Sequence, residues 1–440
     1  MRHSLFLFCL CLLAACSSTR RSARYCQRHL SREIRQSPVF SKSITGFHLI
    51  DAATGAERCA ILADHYFTSA SNTKILTLAT CLNLLGDSLP GLQYQYKPSN
   101  TVADSMVLVF RGTGDPTFLH PDFQAWQPAF ALLRNHHQLA WMMEDLPPER
   151  FGPGWCWDDY SDAYSAERSP MPLYGNVIRL VKNAEGWTTH PADFQFLLKE
   201  TDGTSIRRLE FSNEILVPRE VANFPPGFTK NIPQWRASDH FRDLLVDTLH
   251  RPITLVGNNN RAYRNLYSCP VDTVYRRMMH QSDNFVAEQL LLVCARAKFG
   301  TLRQENIIDW AKDSLFAAYP EPPRWVDGSG LSRYNLISPR FLTALLRQLY
   351  QEQPAGRLLD LFPAGGVSGT IENWFRSPDG QPFVFAKTGS MSGVYCLSGY
   401  LRCKSGKWMI FSFMHNNFTG SNIPWKKEIQ RLLLEIWQRG

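Results

Sequence analysis

At 440 residues, the chain is long enough for two or three domains with proper cores. Its 44% hydrophobic and 20% charged content excludes a disordered polymer, and no run after residue 15 is long and apolar enough to form a membrane-spanning helix. The net charge of +8 is local: Arg20, Arg21, Arg24, Arg28, Arg32 and Arg35, opposed by Glu33, supply +5, Arg2 supplies one more, and the body is left nearly neutral at +2. The charge therefore makes no case for nucleic acid as a partner.

In the opening segment, Arg2 and His3 precede an apolar stretch from Leu5 to Leu13, the form of a secretory signal over residues 1–15. It closes on Leu-Ala-Ala-Cys and resembles a bacterial lipoprotein signal, which implies cleavage before Cys16 and lipid on that residue. An ordinary signal cut nearby is the alternative. Residues 16–36 read as a lipid tether and basic linker, able to lie on anionic lipid at about 1 kcal/mol per cation or simply to remain solvated. The expected location is exported and periplasmic, with a membrane anchor through lipid. Of the eleven cysteines, eight remain after Cys9, Cys11 and Cys16. They are scattered, without a CxxC or a histidine at zinc spacing, so no metal or other cofactor is expected. Export permits disulfides, but the spacing pairs none of them.

The elements follow in chain order. Residues 43–62 read as two strands around a glycine-containing turn. A helix is expected from Ser71, carried by Ile75, Leu76, Leu78, Ala79, Leu82 and Leu85. Residues 104–118 read as a strand running into a Gly-Asp-Pro loop. From there to about 235 the chain shows short strand-like runs, many aromatics and much proline, with one short helical stretch at Ala129–Arg134. The helical period returns at 236–249, and 271–300 reads as two helices broken at Gln281-Ser282-Asp283-Asn284. Near the end, three consecutive strands precede a helix from Pro424 to Arg439, which repeats Ile429, Leu432, Leu433 and Ile436 at spacings of three and four. The expected fold class is α+β. A catalytic domain of 37–87 and 241–440 surrounds an antiparallel sheet, and a β-rich region over 88–240 is inserted into it.

Three short motifs carry the chemistry: Ser71-Asn72-Thr73-Lys74, Ser282-Asp283-Asn284 and Lys387-Thr388-Gly389. The sequence contains one SxxK and one SxN. A second Lys-Ser-Gly at 404–406 lies between two strand runs and reads as a hairpin turn. Serine and lysine three apart on a helix share a face, so Lys74 can reach the Ser71 hydroxyl, and a serine at a helix start has free backbone N–H groups beside it. The second motif falls between two helices and the third on a strand.

This order resembles the penicillin-recognising serine enzymes, which include penicillin-binding proteins and β-lactamases. "GTGDPTF" (112–118), "GWCWDDYSDAYSA" (154–166), "DGSGLSRYNLISP" (327–339) and "AKTGSMSGVYCLSGYL" (386–401) narrow it. They are similar to class C low-molecular-mass penicillin-binding proteins, the D-alanyl-D-alanine carboxypeptidase/endopeptidases, from about residue 40 to the end. In that family the catalytic domain is interrupted between the first and second motifs, as the long separation of Ser71 from Ser282 suggests here.

The resemblance implies a transpeptidase/β-lactamase-like domain acting on peptidoglycan stem peptides, with β-lactams as inhibitors. It makes Ser71 the nucleophile and Lys74 its base, which needs an amine pKa depressed by burial or by a cationic neighbour such as Lys387. Ser282 would relay a proton to the leaving nitrogen and Asn284 would bond substrate backbone. Thr388 with Lys387 would hold the terminal carboxylate. Backbone N–H groups of Ser71 and Ser390 would form the oxyanion hole, and Gly389 would let substrate lie against the strand or else mark a strand kink. In some relatives the second Asp of the Trp-Asp-Asp segment, here Asp159, binds the side-chain amine of the third stem residue, with Tyr164 and Met391 lining that pocket; an acidic loop packed by aromatics is the alternative. Asp327, Ser329 and Arg333 lie in the family signature, but no chemical step calls for them. Two other functions remain open: a β-lactamase, for which no Glu-x-x-x-Asn base is found between the second and third motifs, and a non-catalytic cell-wall-binding lipoprotein, for which the Ser71–Lys74 pairing has no use.

Overall fold

The computed structural model describes residues 28–101, 103–144, 147–220, 224–258, 262–319 and 321–440. The signal segment and Cys16 lie outside the described residues. The chain divides into two compact units, one of residues 1–75, 318–324 and 335–440, the other of 76–317 and 325–334. The division falls inside the helix Lys74–Leu84.

The first unit is built on a five-stranded antiparallel sheet. Its strands lie in the order Val384–Met391, Val394–Arg402, Trp408–Asn416, Ile44–Asp51, Glu57–Ile61. The expected hairpin at the start of the domain and the three strands at its end therefore join in one sheet, and Lys404-Ser405-Gly406 is the turn between two of them. Both faces are covered, as the nearly unbroken burial of Val394–Arg402 requires. One face packs on the C-terminal helix Ile423–Arg439, whose Ile429, Leu432, Leu433 and Ile436 share a core with Phe47, Leu397, Phe411 and Phe413. The alternate residues meet the helix Pro339–Glu352: Tyr400 donates its hydroxyl to the Leu346 carbonyl, and His48 bonds Thr343. Residues 28–36 form a helix whose Leu30 and Ile34 join the core of the C-terminal helix.

The second unit holds the aromatic, proline-rich stretch. A five-stranded sheet orders Ile253–Val256, Leu139–Met142, Met106–Gly112, Ser88–Pro98 and Arg264–Pro270, and two three-stranded sheets lie between residues 177 and 233. One core joins Leu92, Phe110, Ile178, Leu180, Ile232 and Leu245. The two helices expected over 271–300 are Val271–His280 and Asn284–Phe299.

The Gly-Asp-Pro loop carries an electrostatic cost. Asp115 is buried, accepts the Thr117 N–H at 2.8 Å, and has its pKa raised by burial from 3.8 to about 6, against the opposing pull of the Thr117 and Ser268 hydrogen bonds. A carboxyl whose folded pKa is raised favours folding below its unfolded pKa and loses that contribution as pH rises through the folded value. Wild type should therefore lose stability relative to Asp115→Asn between about pH 4 and pH 6, by on the order of 3 kcal/mol, with a constant difference above. Chemical denaturation of both proteins across that range checks it; a difference flat from pH 4 to 7 contradicts it.

Candidate active site

The nucleophile segment departs from the expected helix start. Ala70 sits at φ 46°, a left-handed conformation that costs a non-glycine residue energy, and Ala70–Thr73 form a 3-10 turn; the α-helix begins only at Lys74. Residues three apart eclipse in 3-10 geometry, so Lys74 stands directly over Ser71. Its Nζ donates to Ser71 Oγ at 3.1 Å. Lys74 is fully buried, whereas Ser71 stays partly exposed.

The turn is locked to the strand Val384–Met391, an edge strand of its sheet. Asn72 donates Nδ2 to the Lys387 carbonyl at 2.8 Å and accepts the Ser398 hydroxyl at 2.8 Å. Gly389 has a reason beyond the expected approach of substrate. A Cβ there would lie 2.6 Å from the Ser69 carbonyl oxygen, so the glycine admits the protein's own nucleophile turn. No kink is involved, since the strand pairs without a register break from Val384 to Met391.

Lys387 is fully buried and donates Nζ to the Thr388 carbonyl at 2.9 Å. Burial, and after it the positive charge of Lys74, hold its amine well below the usual lysine range. The Thr388 hydroxyl bonds that of Thr370 at 2.8 Å, Ser390 Oγ accepts from Asn422 at 3.2 Å, and Met391 closes the strand opposite Val394. Ser71, Lys74, Lys387, Thr388, Gly389, Ser390 and Met391 thus belong to one side of the first unit's architecture, the nucleophile turn and the edge strand.

Within the second unit, Ser282 occupies a left-handed turn at φ 57°. Asp283 caps the following helix, accepting the Val286 N–H at 3.1 Å while Arg277 donates to its other oxygen at 2.9 Å. Asn284 donates Nδ2 to the Tyr164 carbonyl at 3.0 Å, and the Tyr164 hydroxyl donates to Asp159 at 2.8 Å and to Asp162 at 3.2 Å. Burial and these two carboxylates push the Tyr164 phenol upward. Asn284 is thus joined to the distant Tyr164–Asp159 pair in one hydrogen-bonded chain.

The structural roles of three residues escape the sequence reading. Asn72 lies inside the first motif, but its type does not announce two buried hydrogen bonds. Asp327 is buried and accepts the Gly330 and Ser332 N–H groups and the Trp155 indole N–H, at 2.7–2.9 Å. Glu288 accepts the Ser329 N–H and the Gln304 amide, both at 2.7 Å. Asp327 and Glu288 organise the signature loop. Ser329 is buried, with its hydroxyl turned back to the Leu331 N–H, which removes it as a nucleophile.

In fold the chain is similar to a penicillin-binding protein. It superimposes on the crystal structure of penicillin-binding protein 4 (DacB) from Haemophilus influenzae with TM-score 0.74 at 18% identity, over 93% of this chain and 99% of that one; the same protein has been solved with a novel β-lactam. Residues 26–195 and 225–435 match the D-Ala-D-Ala carboxypeptidase 3 (S13) family, and the chain belongs to that family. A D-alanyl-D-alanine carboxypeptidase of an Actinomadura species is 24% identical over 88% of this chain and 80% of its own length. D-alanyl-D-alanine carboxypeptidase DacB of Haemophilus influenzae is 30% identical over 36% of this chain, a stretch that covers 34% of that protein.

Proposed function

We propose that the chain is a serine-type D-alanyl-D-alanine carboxypeptidase/endopeptidase that works on peptidoglycan stem peptides through an acyl-enzyme on Ser71 and is acylated there by β-lactams. The observation that carries this is the 3.1 Å hydrogen bond from the buried Lys74 amine to the Ser71 hydroxyl, with buried Lys387 close by. Two neighbouring buried amines discourage each other's protonation, which favours a lysine able to take a proton.

Ser71 Oγ attacks the carbonyl of the penultimate D-alanine as its proton passes to Lys74. The oxyanion forms between the backbone N–H groups of Ser71 and Ser390, where the loss of one such donor typically costs about 10²–10³ in rate. Collapse breaks the C–N bond, and the leaving nitrogen receives a proton through Ser282. Water then cleaves the ester by the same route in reverse. A free D-alanine leaving group makes the reaction a carboxypeptidase step; a cross-linked stem makes it an endopeptidase step. Asn284 and Thr388 hold the peptide backbone and its carboxylate.

We also assign export and a lipid anchor at Cys16, on the form of the signal segment alone. Labelled palmitate should enter wild type and not Cys16→Ser; equal incorporation contradicts the anchor.

Labelled benzylpenicillin followed by peptide mapping should place the adduct on Ser71 and lose it in Ser71→Ala. Lys74→Ala should fold yet acylate slower by roughly 10²–10⁴. Near-normal acylation by that folded variant would move the base elsewhere.

Asp159 reads the amine of a diaminopimelate-type third residue, a carboxylate facing an ammonium, with Tyr164 fixing one of its oxygens. Penicillin lacks that amine, so Asp159→Asn should lower turnover of an amine-bearing stem peptide far more than the rate of penicillin acylation. Equal losses on both would make Asp159 a support of the fold.

A further inference from the structure

Beside the Asp159 turn, the second unit contains a cavity of about 270 Å³ walled by Phe151, Trp155, Trp157, Tyr160, Phe211 and Trp235. At its mouth Trp157 and Phe211 are 75% and 73% exposed, an arrangement that leaves large apolar faces in water. Two arginines, Arg150 and Arg208, complete the lining. Arg208 is 1% exposed and its guanidinium lies over Tyr160. Its Nη atoms donate to the carbonyls of Leu209, Glu210, Ser212 and Tyr160 at 2.6–3.1 Å, yet its Nε–H has no partner. Arg150 stacks on Phe151 and gives Nη2 to Glu167 at 2.5 Å, and its Nε–H is likewise unpartnered. Flat apolar walls beside two guanidinium groups suit a ligand that has both an apolar face and acceptor oxygens.

Charge decides against an anion. Arg150 is answered by Glu167, Glu210 lines the same cavity, and Asp158, Asp159 and Asp162 follow along the adjoining turn. The volume falls just below the range of whole-ligand clefts, which start at about 300 Å³, and so suits one ring with a short substituent rather than a larger ligand.

We propose that this cavity binds one N-acetylated amino-sugar ring of the peptidoglycan strand, its apolar face on the aromatic walls and its acetamido carbonyl toward the arginines. The assignment of this sugar class rests on the peptidoglycan substrate proposed above, because the glycan to which stem peptides are attached supplies it. N-acetylglucosamine and N-acetylmuramic acid share the chemistry. Such a subsite makes the enzyme prefer stem peptides still attached to glycan.

Cys156 lines the cavity and is exposed, whereas the other six free cysteines among the described residues are buried. Its thiol therefore reports occupancy. With the full chain, triacetylchitotriose and disaccharide-pentapeptide should each slow N-ethylmaleimide modification at Cys156, followed by peptide mapping, while the free pentapeptide should not. Protection by the disaccharide-pentapeptide alone assigns the muramic ring; protection by both assigns the acetamido ring in general. In wild type, kcat/KM for the disaccharide-pentapeptide should exceed that for the free pentapeptide by about tenfold, the scale of one good stacking contact. Trp157→Ala and Phe211→Ala, which remove mostly exposed side chains, should bring that ratio toward unity. Protection by the free pentapeptide, no protection by either sugar, or a ratio unchanged in both variants overturns the proposal. Benzylpenicillin acylation of wild type is followed in parallel. Sugar protection without acylation would uphold the subsite and sink the peptidase assignment, and acylation without any sugar effect would do the reverse.

Discussion

The contact between the Ser69–Asn72 turn and the strand carrying Lys387 and Gly389 is the constraint on which the candidate site depends. It is made close by the missing Cβ of Gly389, which leaves room for the Ser69 carbonyl. It is made specific by Asn72, which bonds the Lys387 carbonyl on one side and the Ser398 hydroxyl on the other; Ser398 in turn bonds Ser412 on the next strand. A buried polar chain of this kind is stabilising only when complete, since a missing partner leaves a desolvated donor or acceptor. The nucleophile is thus referenced to three strands of the sheet rather than to its own helix. The left-handed Ala70 is the local strain that this docking sustains.

The same docking puts two lysines in one buried space. Removing a single ammonium from water costs several kcal/mol, and two ammonium groups side by side add repulsion. The pair is accordingly driven toward holding fewer protons than its members would separately, in agreement with the depressed amine of Lys387. Lys74 donates to the hydroxyl of Ser71, which solvent also reaches. A lysine buried only for packing would gain nothing from a second lysine as neighbour. The arrangement makes chemical sense where a neutral amine is needed.

Much of this was legible in the sequence, for reasons that differ by residue. Lys387-Thr388-Gly389 could be placed on a strand because it opens a run of three strand-like segments, and the Lys404-Ser405-Gly406 decoy could be set aside because two strands flank it. Ser282-Asp283-Asn284 was legible as a helix break. The 3-10 start at Ser71 was not, because nothing in Ser71-Asn72-Thr73-Lys74 distinguishes a 3-10 turn from the first turn of the helix that Ile75 to Leu85 call for. The helices Gln304–Ser314, Pro339–Glu352 and Ala355–Leu361 receive no assignment from the chain-order reading. For the second the signal is present: Ser338 caps it, Pro339 opens it, and Leu342, Leu345, Leu346 and Leu349 repeat along it. The hydrogen bonds of Asn72, that of Glu288 to Ser329 and that of Asp327 to Trp155 are long-range and have no sequence signature of their own.

Glu288 and Asp327 explain why a signature need not be catalytic. Glu288 lies one turn inside the helix that Asp283 caps, buried between Arg168 and Gln304, and receives the Ser329 N–H. Asp327 gathers the N–H groups of Gly330 and Ser332 and the Trp155 indole. Removing Glu288 leaves the Arg168 charge uncompensated, at a cost of about 3–5 kcal/mol, and removing Asp327 leaves three N–H groups without this acceptor, so neither carboxylate is free to change alone. The loop 327–332 is thereby tied both to the helix that follows Ser282-Asp283-Asn284 and to Trp155, beside the acidic turn of Asp159. Residues with no chemical step of their own fix the backbone from which Ser282, Asn284 and Asp159 project, and their identity is constrained by desolvation as tightly as that of a nucleophile is by reactivity.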